Sequence, residues 1–480
     1  MKLTAKIVKT IALLLAFCLL IGCSLVYKTN PDTDGDLPSK GENTASGAVS
    51  DKHAASSQLT AEEIEPPTTS ELPENATDKQ VEDYYTAEGE ITSLEMTPSE
   101  PDAEAQPANY APLDSSEYYC YNQLTEVQQK AYQKLYTAAQ TMNTKVFSVG
   151  KMTKADASIA LVALRCDWPQ IFWLDSAYGI GQDQRGLVYV SFCGDGYGYT
   201  VKDAEERQKM FDKINDAVDK AIGDCLTAGM TEYERELALH NWICENMTYD
   251  DAAAESTARE DVLKTPHSWT VYGGLVQGKG VCESYAKVFQ LLLYSVGIQC
   301  TNVVGQAKSG EGHMWSAVRI DGNWYNTDVT WDDAETGSLP YVHAYFNFND
   351  EDAAVDREAS PAPGEVDEDT VIVSGDVNVK LPECTSRQAN FFVMNGTWIS
   401  DSAAFGSIVI PKLEQQLTAS NNVTVEFRCG WLEKVSKNDV KDLCQRSGVY
   451  AALVKTFRNV KTLKYDVYSK HAAFYIRAEI

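Results

Sequence analysis

Apolar residues recur at intervals of three and four in several stretches of the chain, which is the spacing of one face of an α-helix. Residues 124–142 show it clearly, with Leu124, Val127, Ala131 and Leu135 in register. The same spacing predicts further helices at 156–165, 203–226, 231–251 and 283–296.

Alternation of apolar and polar residues predicts strands elsewhere. In the first part of the chain these strands are 187–194, 301–307, 313–320, 323–331 and 343–349. The last part predicts strands at 389–396 and 422–429, helices at 407–420 and 439–457, and a closing hairpin at 463–480. This tail is predicted to be a small α/β appendage, and it contains no recognisable chemical motif.

The first 23 residues differ in composition from a folded domain. MKLTAKIVKT contains lysines, a short apolar run follows, and the stretch ends at Leu20-Ile21-Gly22-Cys23. This order is typical of an export signal, and Leu-Ile-Gly-Cys resembles a bacterial lipobox, whose cysteine is lipidated and becomes the new N-terminus. The alternative is an ordinary signal peptide with an incidental cysteine. We predict an extracytoplasmic protein, anchored in the cell membrane by a lipid on Cys23.

The segment after the signal is acidic and rich in Pro, Ser and Thr. Residues 30–116 contain 20 acidic residues and 3 lysines, so this segment holds 17 of the 28 net negative charges. Such a composition buries too little apolar surface to fold and predicts an extended tether. The charge argues against nucleic acid as a partner.

These patterns divide the chain into six segments. They are a lipoprotein signal peptide (1–23), a disordered tether (24–115), an N-terminal mixed α/β region (116–229), a central domain (230–350), an acidic connector (351–370) and a C-terminal α/β domain (371–480).

Cys282 stands at the entrance of the predicted helix 283–296, and Gly297 ends that helix in a left-handed conformation. The positive end of the helix dipole and the backbone N–H groups there favour a thiolate. Gly278 and Gly280 leave space for another backbone to approach the sulfur. The alternative is that Cys282 serves only as a small, buried apolar side chain. We favour that interpretation for Cys244 and Cys300. The chain has 12 cysteines and no Cys-x-x-Cys pair, so a structural zinc site is not expected.

A nucleophilic thiol needs a histidine that is oriented by a carboxylate or amide. Asp321-Gly322 predicts a two-residue hairpin turn between 313–320 and 323–331. That turn places Trp315 opposite Asp328, so His313 and Asp328 are diagonal neighbours on one face. A three-residue turn would place them on opposite faces instead.

These motifs resemble the transglutaminase-like superfamily. GKGVCESYA, GHMWSAVRIDGNWYNTDVTWDD and HAYFN carry the resemblance, which covers residues 230–350. It implies an α+β fold of the papain-like type, with the cysteine helix packed on an antiparallel sheet. It also implies that Cys282 is the nucleophile, His313 the base and acid, and Asp328 the orienting group.

The implied enzyme attacks a peptide or glutamine carbonyl through Cys282 and forms an acyl-thioester. Water would then give proteolysis or deamidation, and an amine would give a cross-link. Its partners are protein or peptide substrates at the cell surface, and no cofactor is implied. The alternative is a non-catalytic cell-surface binding module on the same fold.

Three further predictions concern the surroundings of the thiol. The Cys282 N–H is expected to stabilise the oxyanion, with a second donor from residues 269–272 or from Gln277. Trp315, Trp324 and Trp331 are expected mainly in the core. Asp332 and Asp333 alone fall short of a calcium cage, so no metal is predicted.

Overall fold

The computed structural model describes residues 60–63, 110–140, 145–174, 177–192, 204–255, 267–334, 339–360, 379–468 and 471–480. The predicted signal peptide, Cys23 and most of the predicted tether lie outside these residues. None of the helices in the described ranges is long and apolar enough to cross a bilayer.

The described part of the chain is a mixture of α-helices and β-strands, which agrees with the predicted α+β class. Its helices are α1 (Glu126–Gln140), α2 (Lys154–Asp167), α3 (Ala204–Cys225), α4 (Glu232–Asn246), α5 (Asp251–Ala254), α6 (Cys282–Tyr294), α7 (Val329–Asp332), α8 (Asp350–Ala353), α9 (Phe391–Met394), α10 (Phe405–Ala419), α11 (Lys437–Arg446) and α12 (Val449–Phe457). Its strands are β1 (Thr60–Glu63), β2 (Phe147–Lys151), β3 (Ala177–Gln182), β4 (Leu187–Ser191), β5 (Thr248–Tyr249), β6 (Lys279–Gly280), β7 (Cys300–Ala307), β8 (Gly312–Ile320), β9 (Asn323–Thr327), β10 (Arg357–Ala359), β11 (Trp398–Ile399), β12 (Asn422–Cys429), β13 (Thr462–Val467) and β14 (Ala473–Glu479).

The N-terminal sheet has the strand order β1-β3-β4-β2. Its edge strand β1 pairs in parallel with β3, although it belongs to the predicted disordered tether. That prediction is therefore wrong at residues 60–63. Pairing with a sheet edge needs only backbone N–H and C=O groups, so side-chain composition does not reveal it.

The N-terminal region and the central domain share one hydrophobic core. Leu161 of α2 and Ile214 of α3 are buried in the same cluster as Phe289 and Leu292 of α6. The boundary predicted at 229/230 is therefore not a boundary between two cores. Ordered structure also begins before Ser116, since the Leu113 N–H donates to the Tyr294 carbonyl at 2.7 Å.

The central sheet has the order β10-β7-β8-β9, and α6 packs against it. The predicted two-residue turn is present: Asp321 and Gly322 have φ of 48° and 83°, and Ile320 faces Asn323. These left-handed conformations belong to the turn type that suits the twist of two paired strands. The register between β8 and β9 is therefore the one that the sequence predicted.

The predicted connector 351–370 is partly a structured element. Residues 351–353 belong to α8, and β10 pairs antiparallel with residues 305–307 of β7. The acidic composition predicted a connector, but this run contains a buried cation, Arg357. Residues 361–370 lie outside the described ranges.

Two predicted strands are absent from the described structure. Residues 343–349 form turns with one isolated bridge between Asn326 and Phe348, and residues 391–394 form α9, whose N-terminus is capped by Asn390. The aromatic side chains of 343–349 are buried although the backbone forms turns. The sequence pattern of this buried loop therefore looks like that of a strand.

The C-terminal domain has its own core and a sheet of order β11-β12-β14-β13. The predicted closing hairpin is β13 paired with β14. Polar contacts join this domain to the central domain: Arg428 pairs with Asp352 at 2.7 Å, and Glu426 accepts a hydrogen bond from His343 at 2.7 Å.

Glu236 of α4 is a buried acid that gives the fold a pH dependence. Its Oε2 accepts a hydrogen bond from the Asn347 Nδ2 at 2.7 Å, and Thr327 Oγ1 donates to Oε1 at 3.4 Å. Burial raises the pKa of Glu236 to about 8, and the two hydrogen bonds offset only part of this effect.

We expect Glu236→Gln to stabilise the protein at neutral pH. The folded state binds the Glu236 proton more tightly than the unfolded state, so the free energy of unfolding falls as pH rises from about 4.5 to about 8. Glutamine imitates the neutral carboxyl and should gain on the order of 2 kcal/mol near pH 7, with little gain near pH 4.5. Urea titrations at both pH values measure the two differences. An equal difference at both values would contradict this assignment.

Candidate active site

Cys282 is the first residue of α6, at the position that the sequence predicted. The residue before it, Val281, makes no side-chain hydrogen bond that caps this helix, so no side chain of the N-cap competes for the first backbone N–H groups. The thiol is buried, with 3% of Cys282 exposed. The positive end of the helix dipole therefore acts on the sulfur with little screening by water.

His313 and Asp328 are in direct contact. The imidazole Nε2 lies 2.7 Å from Asp328 Oδ2, and both side chains are buried. Asp328 itself is not part of the β8–β9 ladder. Strand β9 ends at Thr327, and Asp328 is the N-cap of α7. The predicted pairing of Trp315 with Asp328 is therefore absent from the ladder, which ends at Ser316 and Thr327, but the predicted contact between His313 and Asp328 is present.

The carboxylate of Asp328 is held on both oxygens. Its Oδ1 accepts the Trp331 backbone N–H at 3.2 Å, and its Oδ2 also accepts a hydrogen bond from Arg357 Nη1. Burial acts to raise the pKa of Asp328, but the charges and hydrogen bonds of His313 and Arg357 outweigh it and leave this pKa below its ordinary value. Asp328 therefore presents a negative charge to the imidazole at neutral pH.

The start of β8 lies against the start of α6. Cys282 and Ala286 form a small apolar cluster with Met314, the residue next to His313. Asp328 takes the Nε2 of the imidazole, so Nδ1 is the nitrogen through which His313 would exchange a proton with a thiol. Thiol, imidazole and carboxylate thus belong to one end of the helix–sheet interface, in the chain order Cys, His, Asp.

Comparison with known proteins gives the family of this arrangement. The family model of the transglutaminase-like superfamily matches residues 220–329, which include Cys282, His313 and Asp328. The chain contains a transglutaminase-like domain. This assignment supports an enzyme of the cysteine type at the level of the family.

Relatives of this transglutaminase-like domain cover only part of the chain. Human kyphoscoliosis peptidase is 30% identical over 151 residues, which are 27% of this chain and 21% of that protein. The mouse kyphoscoliosis peptidase is 28% identical over 155 residues, which are 28% and 22% of the two chains. A crystal structure of a TGase matches 32% of this chain and 44% of its own, with 15% identity and a TM-score of 0.24. The chain spans about a fifth of the length of the curated relatives.

The transglutaminase-like domain offers two candidate donors for an oxyanion. One is the backbone N–H of Cys282, and the other is the indole of Trp269, which packs in one cluster with Val281. The Trp269 Nε1 is buried and has no hydrogen-bond acceptor in the described structure. Gln277, the other residue considered from the sequence, is exposed at the end of a π-helical turn. Trp269 is therefore the better candidate.

Gly280, two residues before Cys282, is needed for close packing within the protein rather than for access to the sulfur. A Cβ on Gly280 would lie 2.4 Å from the Ser284 side chain and 3.1 Å from the Ser268 carbonyl. Ser284 Oγ in turn donates to the Thr270 carbonyl at 2.7 Å. Gly280 thus allows the loop before Cys282 to pack closely on the first turn of α6.

Two of the three tryptophans that were predicted mainly in the core lie beside His313. Trp315 is buried, and its ring lies 6.0 Å from that of His313. Trp331 is half-buried and stacks on His313 with 4.9 Å between ring centroids. Trp324 packs instead with Val303 and Leu381 in a separate cluster with Trp315.

The two carboxylates after Asp328 serve as hydrogen-bond partners within the protein. Asp332 Oδ2 lies 3.2 Å from His240 Nε2, and its Oδ1 accepts the Tyr345 N–H at 2.9 Å. Asp333 accepts a hydrogen bond from the Tyr285 hydroxyl at 2.5 Å. Among the described residues, no group of three or more His, Cys, Asp or Glu is arranged to hold a metal ion.

Sequence reasoning missed Arg357 and His471, which lie beyond the recognised motifs. Arg357 belongs to the predicted connector and His471 to the closing hairpin, 29 and 143 residues after Asp328. The one signal for Arg357 was a single cation within an acidic run, Asp356-Arg357-Glu358. No sequence pattern linked either residue to the Cys282 motif.

Proposed function

We propose that the chain is a cysteine acyl-transfer enzyme of the transglutaminase-like type. The observation that carries this proposal is the 2.7 Å contact between His313 Nε2 and Asp328 Oδ2, at the sheet end that meets the helix beginning with Cys282. The family match to residues 220–329 supports the same assignment.

The chemistry follows from the three residue types. His313 takes the thiol proton through Nδ1, and the Cys282 sulfur attacks the carbonyl carbon of a peptide or glutamine side chain. Asp328 stabilises the imidazolium, and the Cys282 N–H and Trp269 indole stabilise the oxyanion. The imidazolium then protonates the leaving amine or ammonia, which leaves an acyl-thioester on Cys282.

The fate of the thioester decides between two reactions. Water, deprotonated by His313, releases the acid and regenerates the thiol, which gives proteolysis or deamidation. A primary amine such as a lysine side chain forms an amide and gives a cross-link. Both fates use the same three residues, and the proposal includes both.

The alternative function is a non-catalytic binding module at the cell surface. A binding module gains nothing from burying an imidazole, a carboxylate and a guanidinium together, because burial of charged groups is costly unless function or pairing requires it. Asp328, His313 and Arg357 are all almost fully buried, which favours the enzyme.

We also propose that the enzyme is exported and anchored in the cell membrane through a lipid on Cys23. The Leu-Ile-Gly-Cys sequence after a basic and apolar start supports this location. Its substrates would then be proteins or peptides at the cell surface. Cell fractionation with Cys23→Ser tests the anchor, and a variant that stays in the membrane fraction would argue against it.

The reaction is tested by incubating the full chain with casein, with and without a fluorescent primary amine. We expect either amine incorporation or new termini and deamidated glutamines by mass spectrometry, and Cys282→Ala should abolish the reaction because it removes the nucleophile. Cys225→Ala is the matched control, since Cys225 is half-buried on α3 and its thiol donates to the Ala221 carbonyl of the same helix. Equal product from Cys282→Ala and the wild type would refute the proposal.

A further inference from the structure

Arg357 of β10 is a cation enclosed within the protein. Its side chain is fully buried, Nη1 donates to Asp328 and Nε donates to Asp356 Oδ1 at 3.0 Å. A buried guanidinium needs such carboxylate partners, because an unpaired charge in the interior is strongly destabilising. Arg357 thus bridges the carboxylate that contacts His313 and a second carboxylate behind it.

Aromatic rings fix the plane of the guanidinium. Arg357 Cζ lies 3.9 Å from the Trp331 ring centroid. Three further rings are more than 1 Å farther away, at 5.2 Å for Trp315 and 5.0 Å for both Tyr345 and Phe348. Cation–π attraction and close packing restrict rotation of the guanidinium. Since Trp331 also stacks on His313, the imidazole and the guanidinium share one aromatic wall.

The second carboxylate contacts the C-terminal domain. Asp356 Oδ2 lies 3.2 Å from His471 Nε2 and accepts a hydrogen bond from the Tyr345 hydroxyl at 3.2 Å. His471 precedes β14, is fully buried, and packs its ring on Tyr345 and Phe348 at 4.7 and 5.7 Å. A continuous chain of polar contacts therefore runs from His313 through Asp328, Arg357 and Asp356 to His471.

The charges along this chain alternate in a way that supports each contact. The close contact with His471 and the charge of Arg357 outweigh burial and lower the pKa of Asp356, as His313 and Arg357 do for Asp328. Arg357 therefore lies between two carboxylates and is drawn toward both. Loss of the His471 contact would leave the charge of Asp356 less compensated and strengthen its pull on the guanidinium, away from Asp328.

We propose that Arg357 is a positioning residue for Asp328 and that His471 completes this arrangement from the C-terminal domain. The domain beyond residue 379 is then a component of the catalytic centre of the transglutaminase-like domain. This inference rests on the proposed function. It assigns a role to a domain in which the sequence showed no chemical motif.

The contact works by fixing the rotation of the Asp328 side chain. The Trp331 N–H holds Oδ1, and Arg357 holds Oδ2 where His313 Nε2 reaches it. A misplacement of about 1 Å in such a group costs about a hundredfold in rate. Because neither Arg357 nor His471 is placed against a substrate, their loss should change kcat and leave KM unchanged.

The test compares His471→Ala with His471→Gln in the full chain. Alanine removes the ring nitrogen that contacts Asp356, whereas the glutamine amide keeps an N–H group near the position of Nε2. We expect His471→Ala to lower kcat about ten- to a hundredfold at constant KM, and to move the acid limb of Cys282 alkylation by iodoacetamide toward higher pH. His471→Gln should restore most of both quantities.

Tyr468→Phe is the matched control on the same hairpin. It removes the hydrogen bond from the Tyr468 hydroxyl to Glu426 at 2.6 Å but no contact of Arg357 or Asp356. The inference fails if a folded His471→Ala keeps the wild-type kcat and acid limb, or if Tyr468→Phe shifts them equally. If His471→Ala does not fold, Arg357→Lys decides. Lysine lacks the two separate nitrogens, Nη1 and Nε, that reach Asp328 and Asp356, so a wild-type kcat in that variant would overturn the inference.

The wild-type protein alone tests the proposed function, independently of the His471 variants. A wild-type chain whose Cys282 alkylates no faster than Cys225, with no product from casein, refutes the proposed function itself. A reactive wild type with an unchanged His471→Ala refutes only the role of the C-terminal domain.

Discussion

Asp328→Ala is expected to lower kcat by about 10³- to 10⁴-fold, the size of effect that the orienting acid has in hydrolytic triads. Without the carboxylate, His313 loses its hydrogen bond at Nε2, and the buried guanidinium of Arg357 faces the imidazole with no negative charge between them. Both changes disfavour the imidazolium that the reaction requires. Steady-state turnover with the amine or peptide substrate measures the loss.

Asp328→Asn separates the charge of the acid from its hydrogen bonds. If the asparagine oxygen takes the place of Oδ2, it still accepts hydrogen bonds from His313 and Arg357. The asparagine NH₂ group then takes the place of Oδ1 and faces the Trp331 N–H, so two donors lie against each other. We therefore expect an intermediate loss of kcat, smaller than that of Asp328→Ala. A loss equal to that of alanine would mean that the charge alone matters.

Asp332→Asn is the control on the same short helix. Asp332 is as buried as Asp328, but it contacts His240 rather than His313. Burial raises the pKa of Asp332 well above its ordinary value, so an asparagine imitates its neutral form. Turnover near the wild-type value is expected. A loss as large as that of Asp328→Ala would indicate general damage to the domain.

The sequence could predict the candidate site because each part of it depends on local rules. The glycine stop at Gly297 and the apolar face fixed α6, and the Asp321-Gly322 turn fixed the register of β8 and β9. A two-residue turn allows one pairing, so the face of His313 followed from spacing alone.

The supporting residues could not be predicted, since they depend on contacts between distant segments. Arg357 reaches Asp328 because β10 pairs with β7, and an acidic run with proline gives no sign of that pairing. His471 reaches Asp356 because the C-terminal hairpin packs on the central domain. Packing between domains is set by shape and burial, which spacing along the chain does not encode.

The predicted tether illustrates the same difference. Amino-acid composition reflects the side chains only, whereas β1 joins the N-terminal sheet through backbone hydrogen bonds. Composition therefore could not predict this pairing. The shared core of the N-terminal region and the central domain likewise follows from tertiary packing. The sequence therefore predicted the family and the contact between His313 and Asp328 better than the boundaries of the domains.

The cysteines of this chain provide their own comparison for the reactivity of Cys282. Burial raises the pKa of Cys225, Cys429 and Cys444 to about 12, so few of these thiols are ionised near neutral pH. Cys166 differs from these three thiols, because its contact with Cys120 lowers its pKa. Cys166 lies on α2 and contacts Cys120 rather than His313, so its labelling rate is an internal control for the effect of His313→Ala.

The most direct measurement is the rate of iodoacetamide labelling at each cysteine, read by mass spectrometry near neutral pH in the wild type and in His313→Ala. The account predicts that Cys282 is labelled on the order of 10³-fold faster than Cys225. His313→Ala should slow Cys282 about 10²-fold and leave Cys166 unchanged. Equal labelling of Cys282 and Cys225, or a Cys282 rate that His313→Ala does not alter, would contradict it.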